Sequence, residues 1–230
     1  MIDTKSSWEQ SRLRSQYHFD NHTIDPRWDT IEELGHIVPA WQSELDEIIA
    51  ESRPATWATR GYKGPGIEAP PEELATEEYD LEQTGYHRDL VITHLNWNLP
   101  PVLQQVSDLF GLADCMNRIH VQQPGEVWNL HLDKLQKWSP DAPDQVMRIM
   151  IHLTDWQPGH FWSYGNYTHS GWYAGDVTTF DWQHVPHSTA NAGHSPRVTL
   201  QITGVRTAKT VEFLSTLKRS LGYQLCKNNS

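Results

Sequence analysis

The stretch from Pro124 to Asp133, PGEVWNLHLD, ends in a His-x-Asp pair. Side chains two apart on a β-strand leave the same face, so His131 and Asp133 project together, with Asn129 behind them. An imidazole and a carboxylate held this way supply two corners of the two-histidine, one-carboxylate set that binds non-haem ferrous iron. In a chain with 13 His and 29 Asp plus Glu, one such pair is a weak signal. Its meaning rests on a third ligand and on an anchor for a co-substrate.

Three downstream histidines, His184, His187 and His194, are candidates for the third corner. His187 is preferred because of the residues on its C-terminal side. The segment HVPHSTANAGHSPRVTLQITG reads as strand, turn from Asn191 to Pro196, and strand. A hairpin folded about Ala192 and Gly193 sets Arg197 opposite His187. A buried Arg near an iron-binding His suits 2-oxoglutarate, whose keto acid end chelates the metal while its far carboxylate needs a planar, two-pronged cation. Thr199 shares a strand face with Arg197 and offers a hydroxyl to the same carboxylate. Asn129 and His152 are further candidates for contact with 2-oxoglutarate, and Arg148 and Trp172 for contact with a substrate. Asn191 reads first as a turn former, since Asn tolerates left-handed backbone.

These residues need a scaffold, and the composition allows one. A length of 230 residues suits one domain with appendages and a real core. A net charge of −11 argues against a protein that wraps duplex nucleic acid. Cys115 and Cys226 lie far apart, which excludes a disulfide framework and a thiolate zinc site. The start, MIDTKSSWEQ, lacks the apolar core of a signal peptide, and no stretch approaches a membrane span, so a cytoplasmic protein is expected. The 11 Trp read mainly as core filling, with substrate stacking as the alternative for some.

Along the chain, residues 1–37 are polar and aperiodic and read as an arm or an added strand. Trp41, Leu45, Ile48 and Ile49 form the apolar stripe of a helix. Ser52 to Pro71 reads as a loop that could serve as a lid, and PEELATEEYDLE as a solvated helix face. Pro101 opens a second helix with Leu103, Val106, Leu109 and Phe110 on its apolar side and Gly111 as its stop. Short β-rich runs come next: MNRIHVQ, EVWNLHLD, QVMRIMIHL, HFWSYG, DVTTFDW and RVTLQITGVR. Their even spacing predicts an antiparallel sandwich or barrel. Val211, Leu214, Leu217 and Leu221 predict a last helix closed by Gly222. The expected fold is mainly β with flanking helices, a double-stranded β-helix or jelly roll. Residues 1–115 form an N-terminal segment packed on the core, 116–206 the catalytic core, and 207–230 a C-terminal helix.

Over His120 to Gly204 the chain resembles the Fe(II)/2-oxoglutarate-dependent oxygenases, and most of all the aspartyl/asparaginyl β-hydroxylase-like group, which includes small hydroxylases of free proline. The matching pieces are a Pro-Gly-containing strand leading to the first His, the RIMIHL strand with His152, Gly-Asp followed by Phe-Asp, and His187 with Asn191 and Arg197. The resemblance implies Fe(II), 2-oxoglutarate and O2 as cofactor and co-substrates. It implies an amino acid or peptide side chain as the hydroxylated group. Two positions depart from the pattern. Asp133 supplies a carboxylate that the mammalian peptide β-hydroxylases of the group lack, and Met150 stands where a second co-substrate Arg is common. In related halogenases a small residue at the carboxylate corner opens a site for chloride, so Asp133 implies hydroxylation.

Other readings remain beside this one. A cupin-like binding module uses the same β-scaffold and clustered His without turnover. Nucleobase oxidation fits less well with the acidic charge. A hydrolytic zinc enzyme is disfavoured by the lack of a His-Glu-x-x-His helix.

Overall fold

The structure is a computed structural model that describes residues 31–51, 59–60, 92–95, 99–133, 135 and 139–225, with backbone only at 51, 59–60, 92–95 and 129. Eleven strands and three helices are defined there. The strands are β1 (Ile31–His36), β2 (Thr59–Arg60), β3 (Ile92–Leu95), β4 (Ala113–Gln122), β5 (Val127–His131) and β6 (Val146–His152). They continue with β7 (His160–Tyr164), β8 (Tyr167–His169), β9 (Asp176–Phe180), β10 (His187–Asn191) and β11 (Arg197–Val205). The helices are α1 (Gln42–Glu51), α2 (Pro101–Phe110) and α3 (Ala208–Arg219). The segment PEELATEEYDLE and most of the expected loop from Ser52 to Pro71 lie outside the described residues.

The strands form two sheets, ordered β1-β9-β6-β11-β4-β3 and β2-β5-β10-β7-β8. From β4 to β11 the eight core strands, four in each sheet, alternate between the sheets except at the β7–β8 hairpin, the winding of a jelly roll. The protein is a jelly roll flanked by helices. Residues 31–36 form a strand added beside β9.

Alternation along each strand sorts the chemistry. In β11, Val198, Leu200 and Ile202 point one way and join Ile119, Val121, Ile149 and Ile151 in an apolar layer. The helices cover that layer with Trp41, Leu45, Ile48, Leu103, Val106, Phe110, Phe213 and Leu217. The opposite face of the same strand carries Arg197, Thr199, Gln201 and Thr203, all buried. Their register partners include Gln122, His120, His152 and Arg148. Period-two patterning therefore gives the six-stranded sheet an oily side toward the helices and a polar side toward the other sheet.

Helix α2 starts at Pro101, whose missing N–H costs nothing at a first turn, and ends at Gly111 with φ +58°. Helix α3 is capped by Thr207, whose hydroxyl accepts from the Thr210 amide. Its buried side keeps Leu217 and the partly buried Leu214 of the expected stripe but not Val211 or Leu221. Thr210, Phe213 and Leu217 face inward, whereas Val211 is 62% and Leu221 fully exposed. Phe213 meets Phe110 and Tyr223 edge to face at 5.0 and 5.1 Å, and this aromatic contact rotates the helix away from the aliphatic stripe.

The expected hairpin between His187 and Arg197 is also corrected. Strand β10 pairs with β5 and β7, while β11 pairs with β4 and β6, so the connection crosses from one sheet to the other. Asn191 anchors this crossing by donating through Nδ2 to the carbonyls of Gln122 and Ser195 at 2.9 and 2.8 Å. Gly159 lies against it with φ +98°, and a Cβ there would come within 2.4 Å of the Gly193 nitrogen.

Candidate metal centre

The site is built on one row of the smaller sheet. His187 on β10 is register partner to His131 on β5 and to Tyr164 on β7. Asp133 lies two residues past the end of β5 and turns back to the same place. The ring centroids of His131 and His187 are 4.2 Å apart. His131 Nε2 is 3.8 Å from Asp133 Oδ1, and His187 Nε2 is 3.8 Å from Asp133 Oδ2. One donor atom from each of the three lies within 4.8 Å of the others, a spacing that could hold a metal ion. His187 thus joins the pair expected from sequence. His184 is 62% exposed along its side chain and bonds Asp181, and His194 is exposed.

The protonation states suit ligation. Burial pushes the Asp133 carboxyl up, but the Arg148 guanidinium, with His187 and His131, overcomes this and holds it at about 2. Burial, reinforced by His131, pulls His187 down to about 3. At neutral pH the centre offers an ionised carboxylate and, at His187, a neutral imidazole, the forms that bind metal.

Deeper in the interior, Arg197 is 1% exposed. Its Nε donates to Gln122 Oε1 at 3.0 Å and its Nη1 to Thr199 Oγ1 at 3.2 Å, while the buried Nη2 has no partner among the described residues. The guanidinium lies 4.3 Å from the Trp162 ring centroid and 5.7 Å from that of Trp128. Burial lowers its pKa to about 10, so it stays a cation at neutral pH. Trp162 stacks on Tyr164 at 5.5 Å and Tyr164 on His187 at 6.0 Å, which joins the cation to the metal-ligating row through two aromatic rings.

His152 is fully buried opposite Thr199. Its Nε2 is 3.2 Å from His169 Nε2, its Nδ1 has no partner among the described residues, and Trp172 stacks on its ring at 4.4 Å. Burial, with His169 and Arg197 adding to it, holds His152 well below its ordinary pKa. Trp172 donates through Nε1 to the Thr154 carbonyl at 3.1 Å. Arg148 pairs with Asp133 at 2.5 Å. The side chain of Asn129 lies outside the described residues, although its backbone belongs to β5.

Sequence reasoning missed Tyr164, Trp162, His169 and Gln122. The first two alternate with His160 along HFWSYG, so the strand pattern held a signal for a shared face. Gln122 meets Arg197 only through long-range pairing of β4 with β11.

The chain matches no protein-family description and no curated protein. It is similar to solved structures. A prolyl-4-hydroxylase from Pseudomonas putida is 21% identical over 78% of this chain and 94% of that one, with a TM-score of 0.44. A cupin protein from Bacteroides fragilis is 18% identical over 43% of this chain and 70% of that one, with a TM-score of 0.31. An Acidithiobacillus ferrooxidans chain is 18% identical, covered over 49% of its length and 39% of this chain, with a TM-score of 0.29. The matched region thus spans about half of that last protein. The winding of the sheets defines the class: a jelly roll whose interior holds a His-Asp-His group able to take a metal ion.

Proposed function

We propose that this protein is an Fe(II)- and 2-oxoglutarate-dependent hydroxylase of an unactivated C–H bond, with an amino acid or peptide side chain as substrate. The observation that carries the reading is the buried Arg197, with one nitrogen unpartnered among the described residues, in the same interior as the three converging donors. An orphaned buried donor on a cation is costly unless an anion completes it. A metal-chelating diacid has the chemistry to engage both features at once.

In this reading His131, Asp133 and His187 hold the iron. Arg197 and Thr199 grip the far carboxylate of 2-oxoglutarate, with His152 and Asn129 as further contacts. Together, iron, 2-oxoglutarate and O2 supply the oxidising power that converts C–H to C–OH, with succinate and CO2 as co-products. The protein's own work is to orient and to exclude water. Trp162, Tyr164 and Trp172, each at most 3% exposed, line the interior and serve the second task.

The test is succinate formation from 2-oxoglutarate by the full chain with Fe(II), screened across free amino acids, peptides and nucleosides. Slow turnover without substrate and stimulation by one class are expected. His131→Ala, Asp133→Ala and His187→Ala should each abolish both. Full activity in these variants removes the proposal. A parent that binds metal but never forms succinate is a binding module instead.

A further inference from the structure

Arg148 does not stand free on the interior face. It is 7% exposed, and its Nη1 donates to Asp133 Oδ2 at 2.5 Å while its Nε donates to Thr203 Oγ1 at 3.1 Å on the adjoining strand. Its own carbonyl accepts from the Thr179 hydroxyl at 2.7 Å, which ties its backbone to β9. Asp133, by contrast, lies beyond the last paired residue of β5 and belongs to no strand. The sheet does not set the direction of its carboxylate, so a side chain must.

We propose that Arg148 is a positioning residue for the metal centre. By holding Oδ2 it directs Oδ1 to the metal and keeps the carboxylate from closing on the ion with both oxygens. Thr203 fixes the guanidinium from behind. The inference rests on the reading of His131, Asp133 and His187 as metal ligands, but on neither 2-oxoglutarate nor turnover. It gives Arg148 a different task from contact with a substrate carboxylate.

Two effects of Arg148 on a metal ion have opposite signs. Its positive charge repels a cation, so removing that charge alone would tighten metal binding. Its hold on the ligand orients the site, and losing such support weakens metal affinity about 10- to 100-fold. The direction of change therefore separates positioning from mere charge.

Co(II) replaces Fe(II) as an air-stable, coloured probe, titrated into the full chain by calorimetry and visible absorption without 2-oxoglutarate. Arg148→Met should weaken Co(II) binding about 10- to 100-fold and change the d–d bands as the second carboxylate oxygen becomes free to ligate. Arg148→Lys should recover part of the affinity, and Thr203→Val should lose a smaller part. Unchanged or tighter binding in Arg148→Met overturns the proposal. So does unchanged metal binding with a raised requirement for an organic substrate. If Arg148→Met does not fold, the other two variants decide, and parental affinity and spectra in both overturn it. A parent that binds Co(II) but forms no succinate sinks the hydroxylase reading and leaves this one standing. A parent that fails to bind Co(II) sinks both.

Discussion

Arg197 carries more of the proposed function than any single ligand, because one nitrogen of this buried cation has no hydrogen-bond partner among the described residues. Two of its nitrogens are matched to neutral acceptors, Gln122 and Thr199, and the third has none among the described residues. Trp162 attracts its charge across the ring face but cannot accept a hydrogen bond in the guanidinium plane. A carboxylate brought to that nitrogen makes a charge-assisted bond worth about 1.5–3 kcal/mol. Arg197→Ala should accordingly raise the 2-oxoglutarate concentration for half-maximal succinate formation by about 10- to 100-fold. Co(II) affinity should change little, since no metal-ligating atom bonds to Arg197. Arg197→Lys should recover little, because an ammonium lacks the two-pronged fork. An unchanged 2-oxoglutarate requirement in both would reduce Arg197 to a structural cation.

At the scale of elements, the sequence was most legible where periodicity alone decides the outcome. The apolar stripes of α1 and α2, the Pro and Gly at the ends of α2, and the β-rich runs all fall as their spacing predicts. His131, Asp133 and His187 do converge, but the local His-x-Asp pair was the legible part: Asp133 lies past the end of β5, where strand alternation does not place it, and the hairpin that singled out His187 is a crossing between sheets. Two features were hidden. Nothing local says that β10 and β11 belong to different sheets, since that is set by which distant strands claim their edges. The inward side of α3 was legible only at Leu217 and Leu214, because Val211 competes with Thr210 and Phe213 for the buried face and the contacts with Phe110 and Tyr223 decide. This yields a paired stability measurement by chemical denaturation. Phe213→Ala should cost about 3–5 kcal/mol, as for large buried aromatics, whereas Val211→Ala should stay within about 0.5 kcal/mol. Equal losses would restore the aliphatic stripe.

For the whole molecule, the buried ionisable groups tie stability to acidity in one direction. Burial and His131 hold His187 at about 3 in the folded chain, burial holds His169 at about 4, and Arg148 outweighs burial to hold Asp133 at about 2. Their ordinary values are 6.5, 6.5 and 3.8. Between the two values of each, the unfolded chain binds protons that the folded chain refuses. Stability of the metal-free protein should therefore be level near neutrality, begin to fall as pH drops through 6.5, and keep falling toward pH 2. Thermal melts across that range check it, and a melting point that rises on acidification would contradict it. The distribution of charge has another consequence. A chain of net charge −11 has drawn two arginines, Arg148 and Arg197, almost wholly out of water. Arg148 is matched by Asp133, so on the proposed function Arg197 is the buried cation that an incoming diacid would meet, on a chain whose net charge is negative. Background electrolyte shortens the reach of the outer field to about 8–10 Å near physiological strength and scarcely touches the sheltered one. On the proposed function, added salt should therefore speed the arrival of 2-oxoglutarate while changing the grip of Arg197 on it far less.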